Sequence, residues 1–191
     1  TQAAEKIYAG IGDPARVDIN INLHHSTLYW LPKELILFDN SKLRRKININ
    51  LSDNSNLIFC ETSIFGRKAM SEKIKNISLS DQWKINVNSS LKHFETINMQ
   101  GSIIDNYKNN YTFDNQSSLS TIIIFGEIIH QFESELRKII ENIVNHYCGM
   151  TKFDDKIIIR CIANDNYDLK KTLNFIMKSI IHDKLPKSWD L

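Results

Sequence analysis

The sequence alternates between polar and apolar side chains over Arg16-Val17-Asp18-Ile19-Asn20-Ile21-Asn22-Leu23. A period of two places the apolar residues on one face of a β-strand and the polar residues on the other. The same pattern returns at Lys46-Ile47-Asn48-Ile49-Asn50-Leu51 and over residues 83–88. Because the apolar faces of such strands must be buried together, these stretches predict a protein built mainly from β-sheet.

Shorter apolar stretches lie between these strands, at residues 27–31, 35–38 and 57–60. Clusters of turn-forming residues separate the candidate strands, at residues 12–14, 39–41, 52–55 and 79–81. Short strands at such regular spacing predict a large antiparallel sheet or stacked sheets.

The carboxyl-terminal part follows a different pattern. After a polar stretch at 101–118, interpreted as a loop, residues 120–125 and 157–162 predict two buried strands. Apolar residues recur at helical spacing from Ile128 to Val144 and from Leu169 to Ile181. Gly149 is expected to end the first helix, and Asp165 or Asn166 to cap the second.

These patterns predict a mainly β (α+β) fold with two carboxyl-terminal helices. A β-rich region over 1–118 and a strand-helix-strand-helix region over 119–191 are expected to form one domain. The formal net charge of +2 does not indicate a nucleic-acid partner.

The cysteines of the chain are Cys60, Cys148 and Cys161, and they are far apart with no C-x-x-C pair. We expect each to be a small buried residue in a reducing cytosol. The longest apolar stretches are about four or five residues, which predicts no transmembrane span, and no signal peptide is visible.

Three stretches identify a family. They are Thr1-Gln2-Ala3-Ala4-Glu5-Lys6-Ile7-Tyr8, then Trp30-Leu31-Pro32-Lys33-Glu34-Leu35-Ile36-Leu37-Phe38-Asp39 followed by Arg44 and Arg45, and lastly Glu61, Gly66, Arg67, Ala69 and Glu72. In type, spacing and order they resemble the T-x-x-A-x-K-x-Y/F, W-L-P-Q-E-x-I-x-F and E-x-x-x-x-G-R-x-A-x-G-E segments of the UreD (UreH) family of urease accessory proteins.

The chain also departs from that family pattern. Ser71 replaces a glycine, Cys60 stands where tryptophan is common, and the family's glycine-rich G-G-x-x-G-G-D segment is missing. Since the sequence begins at Thr1, we expect the native start to lie upstream.

The resemblance implies a cytoplasmic protein that is not an enzyme. Members of the family bind apo-urease and recruit UreF, which in turn recruits the GTPase UreG. Nickel then passes through an internal channel to the urease active site. The resemblance therefore implies no tightly bound cofactor, only Ni(II) in transit, and neither a nucleic-acid nor a membrane partner.

The charged residues of these segments are the candidate site residues. The candidates for lining the channel or contacting a partner are Glu34, Asp39, Glu61, Arg67 and Glu72. Arg44 and Arg45 are candidates for docking to an acidic partner. The structural alternatives are an ion pair of Glu34 with Arg44, Arg45 or Arg67, and a strand edge protected by charge.

Two rival functions remain open at this point. A generic β-rich interaction domain unrelated to urease would show the same strand pattern. A small metallohydrolase would use His24 or His25 with Glu34, although adjacent strand residues point to opposite faces. His146 and Cys148, expected at a helix end, are a weaker metal candidate, so no metal ligand is assigned.

Overall fold

The computed structural model describes residues 3–66, 74–102, 116–143, 147–181 and 185–189 of the chain. These residues form two stacked β-sheets with two helices on one side. The strands are β1 Glu5–Ile7, β2 Ala15–Leu23, β3 Thr27–Trp30, β4 Leu35–Leu37, β5 Ser41–Leu51, β6 Asn56–Phe65, β7 Asn76–Val87, β8 Ser90–Ser102, β9 Ser118–Phe125, β10 Tyr147–Lys152 and β11 Lys156–Ala163. The helices are α1 Ile129–Glu141, α2 Asn166–Ile181 and a 3-10 turn at Lys187–Trp189.

The chain winds back and forth between the two sheets. Sheet A has the order β1-β4-β6-β9-β11-β10, with β3 also paired to β6, and sheet B has the order β2-β5-β7-β8. Because the chain changes sheet after β1, β2, β4, β5 and β6, neighbouring strands of this first half run parallel. The later pairs β7–β8, β6–β9, β9–β11 and β10–β11 are antiparallel.

The mainly β fold with stacked sheets and two carboxyl-terminal helices is therefore confirmed. Stacked sheets were one of the two predicted arrangements, and both sheets are mixed rather than purely antiparallel. Alternation along a strand shows which face is buried but not the direction of the neighbouring strand, which depends on the crossings between sheets.

The three alternating stretches lie side by side in register in sheet B. Ile19 pairs with Ile47, which pairs with Trp83, and these side chains face sheet A. On the opposite face the asparagines form amide ladders, in which Asn48 Nδ2 donates to Asn20 Oδ1 at 3.0 Å. Ladders of identical side chains arise where strands run parallel and in register.

The central strands of sheet A, β6, β9 and β11, are buried on both faces. One face packs on sheet B through residues such as Phe59 and Ile123, and the other packs on the helices through Ile122 and Ile124. A strand covered on both sides needs a continuous apolar run, which explains the isoleucine cluster of β9.

Several local predictions are confirmed. Both helices form, and β9 and β11 are the two buried strands. Asp165 caps α2, since its Oδ1 accepts a hydrogen bond from the backbone N–H of Tyr167 at 2.7 Å. Most of the stretch interpreted as a loop, residues 103–115, lies outside the described residues, but Gly101 belongs to β8.

Other local predictions are wrong. Residues 79–81 lie inside β7 and do not form a turn. The first helix ends at Glu141 with Asn142 as its cap, so Gly149 and Cys148 belong to strand β10. Apolar spacing continued past the true end of the helix and concealed its boundary.

The expected burial is correct for Cys60 and Cys161, whereas Cys148 is only half-buried. Cys60 is a free, buried thiol. Cys148 and Cys161 lie directly opposite each other on β10 and β11 and form a disulfide. The bond fastens the outermost strand of sheet A to its neighbour.

Among the described residues, no helix has both the length and the apolar character needed to span a membrane.

Gly126 ends β9 in a conformation that only glycine adopts readily, with φ at 101°. A Cβ there would lie 2.7 Å from the backbone oxygen of Ser55 and 2.6 Å from Asn56 Oδ1. We expect Gly126→Ala to lower the free energy of unfolding by about 2 kcal/mol or more, measured by urea denaturation. Gly149→Ala is the matched control, since nothing lies within 4 Å of its added Cβ, and equal losses would contradict this account.

Candidate functional site: a buried charge network and a cleft

A charged network lies between the two sheets, built by residues at inward-facing positions. Arg45 of β5 is 3% exposed, Glu61 of β6 is 2% exposed and Asp81 of β7 is 1% exposed. Arg45 occupies the same face as its neighbours Leu43 and Ile47, so alternation in the strand places its guanidinium inside the sandwich.

The guanidinium of Arg45 binds two carboxylates. It grips Asp81 with two bonds, from Nε to Oδ1 at 3.0 Å and from Nη2 to Oδ2 at 2.7 Å. The same Nη2 lies 2.9 Å from Glu61 Oε2. Because Glu61 belongs to sheet A and Arg45 to sheet B, the ion pair connects the two sheets.

Two tryptophans complete the network. The indole N–H of Trp30 donates to Glu61 Oε1 at 2.7 Å, and that of Trp83 donates to Asp81 Oδ1 at 2.9 Å. Buried charges are tolerated when they are paired and hydrogen-bonded, and these contacts meet that need.

Burial and pairing act in opposite directions on the pKa values of the network. Burial raises the pKa of the Glu61 carboxyl, and the opposing effects of Arg45 and the Trp30 hydrogen bond do not cancel it. Burial would lower the pKa of Arg45, but the Glu61 and Asp81 carboxylates raise it overall. The guanidinium therefore remains charged under all ordinary conditions.

A second ion pair connects the sheets near their edge. Arg160 Nη2 of β11 lies 2.9 Å from Glu95 Oε2 of β8. His93 Nε2 lies 3.3 Å from the same oxygen, without the alignment of a hydrogen bond. Burial opposes the ionisation of Glu95, but His93 and Arg160 outweigh it and lower the pKa of this carboxyl.

A small cleft opens on the other side of sheet A. Its walls come from the β3–β4 connection, strand β6, helix α2 and the final 3-10 turn, and they include Glu34, Thr62, Lys170 and Trp189. Thr62 and Ser120 form a row of hydroxyl groups that leads inward from the cleft. Thr62 Oγ1 donates a hydrogen bond to Ser120 Oγ at 3.1 Å.

Cys60 lies beside this hydroxyl row, with its sulfur 3.7 Å from Ser120 Oγ. Burial raises the pKa of the Cys60 thiol to about 12. A thiol that stays protonated is a poor nucleophile and a poor metal ligand. Cys60 therefore acts as a core residue.

The structure separates the residues predicted as one site. Arg45 and Glu61 form the buried network, so neither presents its charge to a partner surface, and Arg45 does not pair with Glu34. Glu34 lines the cleft, while Arg44 is exposed on the outside of sheet B. Arg67 and Glu72 lie outside the described residues.

Asp39 holds the turn after β4. Its Oδ1 accepts hydrogen bonds from the backbone N–H groups of Lys75 at 2.7 Å and Asn76 at 3.0 Å. Desolvation opposes ionisation of this carboxyl, but the backbone bonds from Asn76 and Lys75 outweigh it and lower its pKa. The contacts show a structural role for Asp39.

Sequence reasoning missed Asp81 and Trp83 as members of the network. The sequence did contain a signal, because every second residue of a strand lies on the same face. Asp81 and Trp83 therefore share the inward face with Ile77, Leu79 and Ile85. A single acidic residue in such an apolar row indicates a buried carboxylate that needs a partner. The interpretation of residues 79–81 as a turn hid this signal.

The histidine candidates do not assemble into a metal site. His24 and His25 follow the end of β2, and the backbone N–H of His25 donates to Ser52 Oγ at 3.1 Å. His146 lies outside the described residues. Within the part of the chain that the structure describes, no three His, Cys, Asp or Glu side chains come together as a possible metal site.

These features define a β-sandwich protein with a helical layer, in which the buried charges hold the two sheets together. The family model of the UreD urease accessory protein matches residues 1–188. The chain belongs to the UreD family.

Individual relatives agree with this assignment, and each carries the name urease accessory protein UreD. The protein of Rhizobium rhizogenes strain K84 is 28% identical over 193 residues, covering 100% of this chain and 70% of the relative. That of Rhodopseudomonas palustris strain BisB5 is 30% identical over 194 residues, covering 99% and 66%. The protein of strain HaA2 is 39% identical over 104 residues, covering 54% and 37%.

Removing the central cation tests the network. Arg45→Met leaves Glu61 and Asp81 buried without a counter-charge, and we expect it to lower the free energy of unfolding by about 3–5 kcal/mol. The neighbouring Arg44→Met, on the exposed face, should change it by less than about 0.5 kcal/mol. Chemical denaturation measures both, and similar effects of the two substitutions would contradict the assignment.

The edge ion pair predicts a pH dependence. Because the pKa of Glu95 is lowered in the folded protein from its usual 4.5, its stabilising effect is present above that value and is lost as the pH falls through the lowered pKa. Thermal unfolding of Glu95→Gln should therefore show a Tm deficit that is largest at neutral pH and shrinks below about pH 4. Glu135→Gln, at an exposed position of α1, is the control, and a pH-independent deficit in Glu95→Gln would refute the prediction.

Proposed function

We propose that this protein is a non-catalytic accessory protein of urease maturation in the cytoplasm. It binds apo-urease and UreF, and through UreF it acts with UreG during the insertion of nickel. Membership of the UreD family is the observation that carries this proposal. The same membership displaces the alternative of an interaction domain unrelated to urease.

The chemistry of the described residues suits a protein that passes nickel on. A conduit must bind Ni(II) weakly, because a dense cage of imidazole or thiolate ligands would retain the ion. The carboxylates of Glu61 and Asp81 are buried and both bind the guanidinium of Arg45, and the Cys60 thiol stays protonated. None of these groups is available as a strong ligand for Ni(II).

Glu34 is the best-placed candidate for contact with the metal or a partner. Unlike Glu61, it lines an open cleft, and it shares that cleft with Lys33, Lys170 and the hydroxyl of Thr62. A single carboxylate beside cations gives the weak affinity that transit requires.

Co-purification tests the proposed function. We expect this chain, expressed with UreF and apo-urease subunits of its own organism, to elute with them as one complex in size-exclusion chromatography. Separate elution of a soluble, folded chain would contradict the proposal.

The nickel content of the urease matured in this system tests Glu34 and Asp39. The combined Glu34→Ala and Asp39→Ala substitutions should lower nickel loading while the complex still forms. Since Asp39 binds backbone N–H groups, the single variants and their Tm values accompany the double variant. If Glu34→Ala alone leaves nickel loading normal, Glu34 has no part in transit.

A further inference from the structure

The outer face of sheet B, which points away from sheet A, carries an excess of positive charge. Its exposed cations are Arg16 of β2, Arg44 and Lys46 of β5, and Lys84 of β7. On this face of the four strands, Asp18 is the opposing carboxylate. Lys42 of β5, half-buried on the same face, adds a fifth cation, so the face has a net formal charge of +4, which exceeds the +2 of the whole chain.

Arg16 and Arg44 lie side by side in this face. They are directly paired in the parallel register of β2 and β5, at a strand spacing of about 4.8 Å. The row continues with Ser80 and Asn98, which are uncharged. Like charges opposite each other destabilise a sheet, so this pair weakens the isolated protein slightly and is better suited to an anionic partner.

The asparagine ladders make the same face rigid. Asn50 Nδ2 donates to Asn22 Oδ1 at 2.8 Å, and Asn86 Nδ2 donates to Asn50 Oδ1 at 3.0 Å, next to the parallel Asn48–Asn20 bond. Side chains that are already ordered lose little entropy when a partner binds. The face is therefore preorganised for docking.

The dimensions of the face suit a protein interface. Strand β5 has 11 residues, which span about 36 Å at about 3.3 Å per residue, and four strands cover roughly 15–20 Å in the other direction. The resulting area is roughly 500–700 Å². Each partner contributes about 800 Å² to a protein interface of standard size, so the face is only slightly smaller.

We propose that the outer face of sheet B is a docking surface for a carboxylate-rich protein surface, with the Arg16–Arg44 pair as its main carboxylate-binding position. A guanidinium binds a carboxylate through two parallel hydrogen bonds, and the flanking amides supply further donors and acceptors. A charge of +4 spread over amides is small for a nucleic-acid surface, which needs several phosphate contacts. The proposal rests on the proposed function in naming the partner as a component of the urease complex.

Arg44→Glu tests the docking surface without harming the fold, because the new carboxylate would pair with Arg16. Its Tm in the free protein should be equal to or above that of the wild type. Its affinity for the complex of UreF and apo-urease should fall at least tenfold at 100 mM salt. Arg44→Lys keeps the charge but not the two parallel hydrogen bonds, so it should lose less affinity than Arg44→Glu does. Lys171→Glu makes the same charge change as Arg44→Glu at an exposed position of α2 and should match the wild type.

A second measurement separates this proposal from the urease assignment. Polyglutamate is titrated into the free protein, and we expect salt-sensitive binding that Arg44→Glu weakens at least fivefold more than Lys171→Glu does. Equal weakening by both variants would overturn the docking surface. Tighter binding of duplex DNA or phosphatidylserine vesicles, or normal assembly of Arg44→Glu with the urease components, would also overturn it. If polyglutamate binding depends on Arg44 while no urease complex forms, only the proposed function fails.

Discussion

A guanidinium enclosed between two sheets must find its counter-charges there, and this requirement organises the whole protein. Arg45 draws Asp81 from the neighbouring strand and Glu61 from the opposite sheet. Each carboxylate also accepts a hydrogen bond from the indole N–H of a tryptophan. An error of one residue in the register of β5 would move the guanidinium to the solvent side and leave two buried carboxylates unpaired. The network therefore selects one register and one stacking of the sheets.

The network also explains which residues remain for function. Glu61 and Arg45 belong to family-like segments, yet both serve the connection between the sheets. The charged chemistry of those segments is thus partly architectural, and other positions carry the exposed charges. Arg44 points out from sheet B, whereas Glu34 lies in the cleft on the helical side of sheet A. Separation of these two positions would allow one protein to contact a partner and a transferred ion on different faces.

Much of the fold follows from sequence periodicity, because burial of one face imposes a period of two. The stretches around Ile19, Ile47 and Ile85 became neighbouring strands of one sheet, and the two amphipathic stretches became helices. The direction of neighbouring strands could not be predicted from the sequence, because the points where the chain crosses between the sheets have no local sequence pattern. The pairing of Cys148 with Cys161 was also hidden, because the predicted helix was extended into β10.

For the site, the sequence indicated which residue types carry charge but not which of these residues come together in the folded protein. Parity would have placed Arg45 and Asp81 inside, but only the stacking brings Glu61 to them.

The central claim is that Arg45 and Glu61 are coupled across the sandwich. A double-mutant cycle with Arg45→Met, Glu61→Leu and the combined variant, measured by urea unfolding, tests this coupling most directly. We expect the double variant to be more stable than the sum of the single losses implies, with a coupling energy of about 1.5–3 kcal/mol. Additive losses within about 0.5 kcal/mol would show that the two sheets are not joined through this pair.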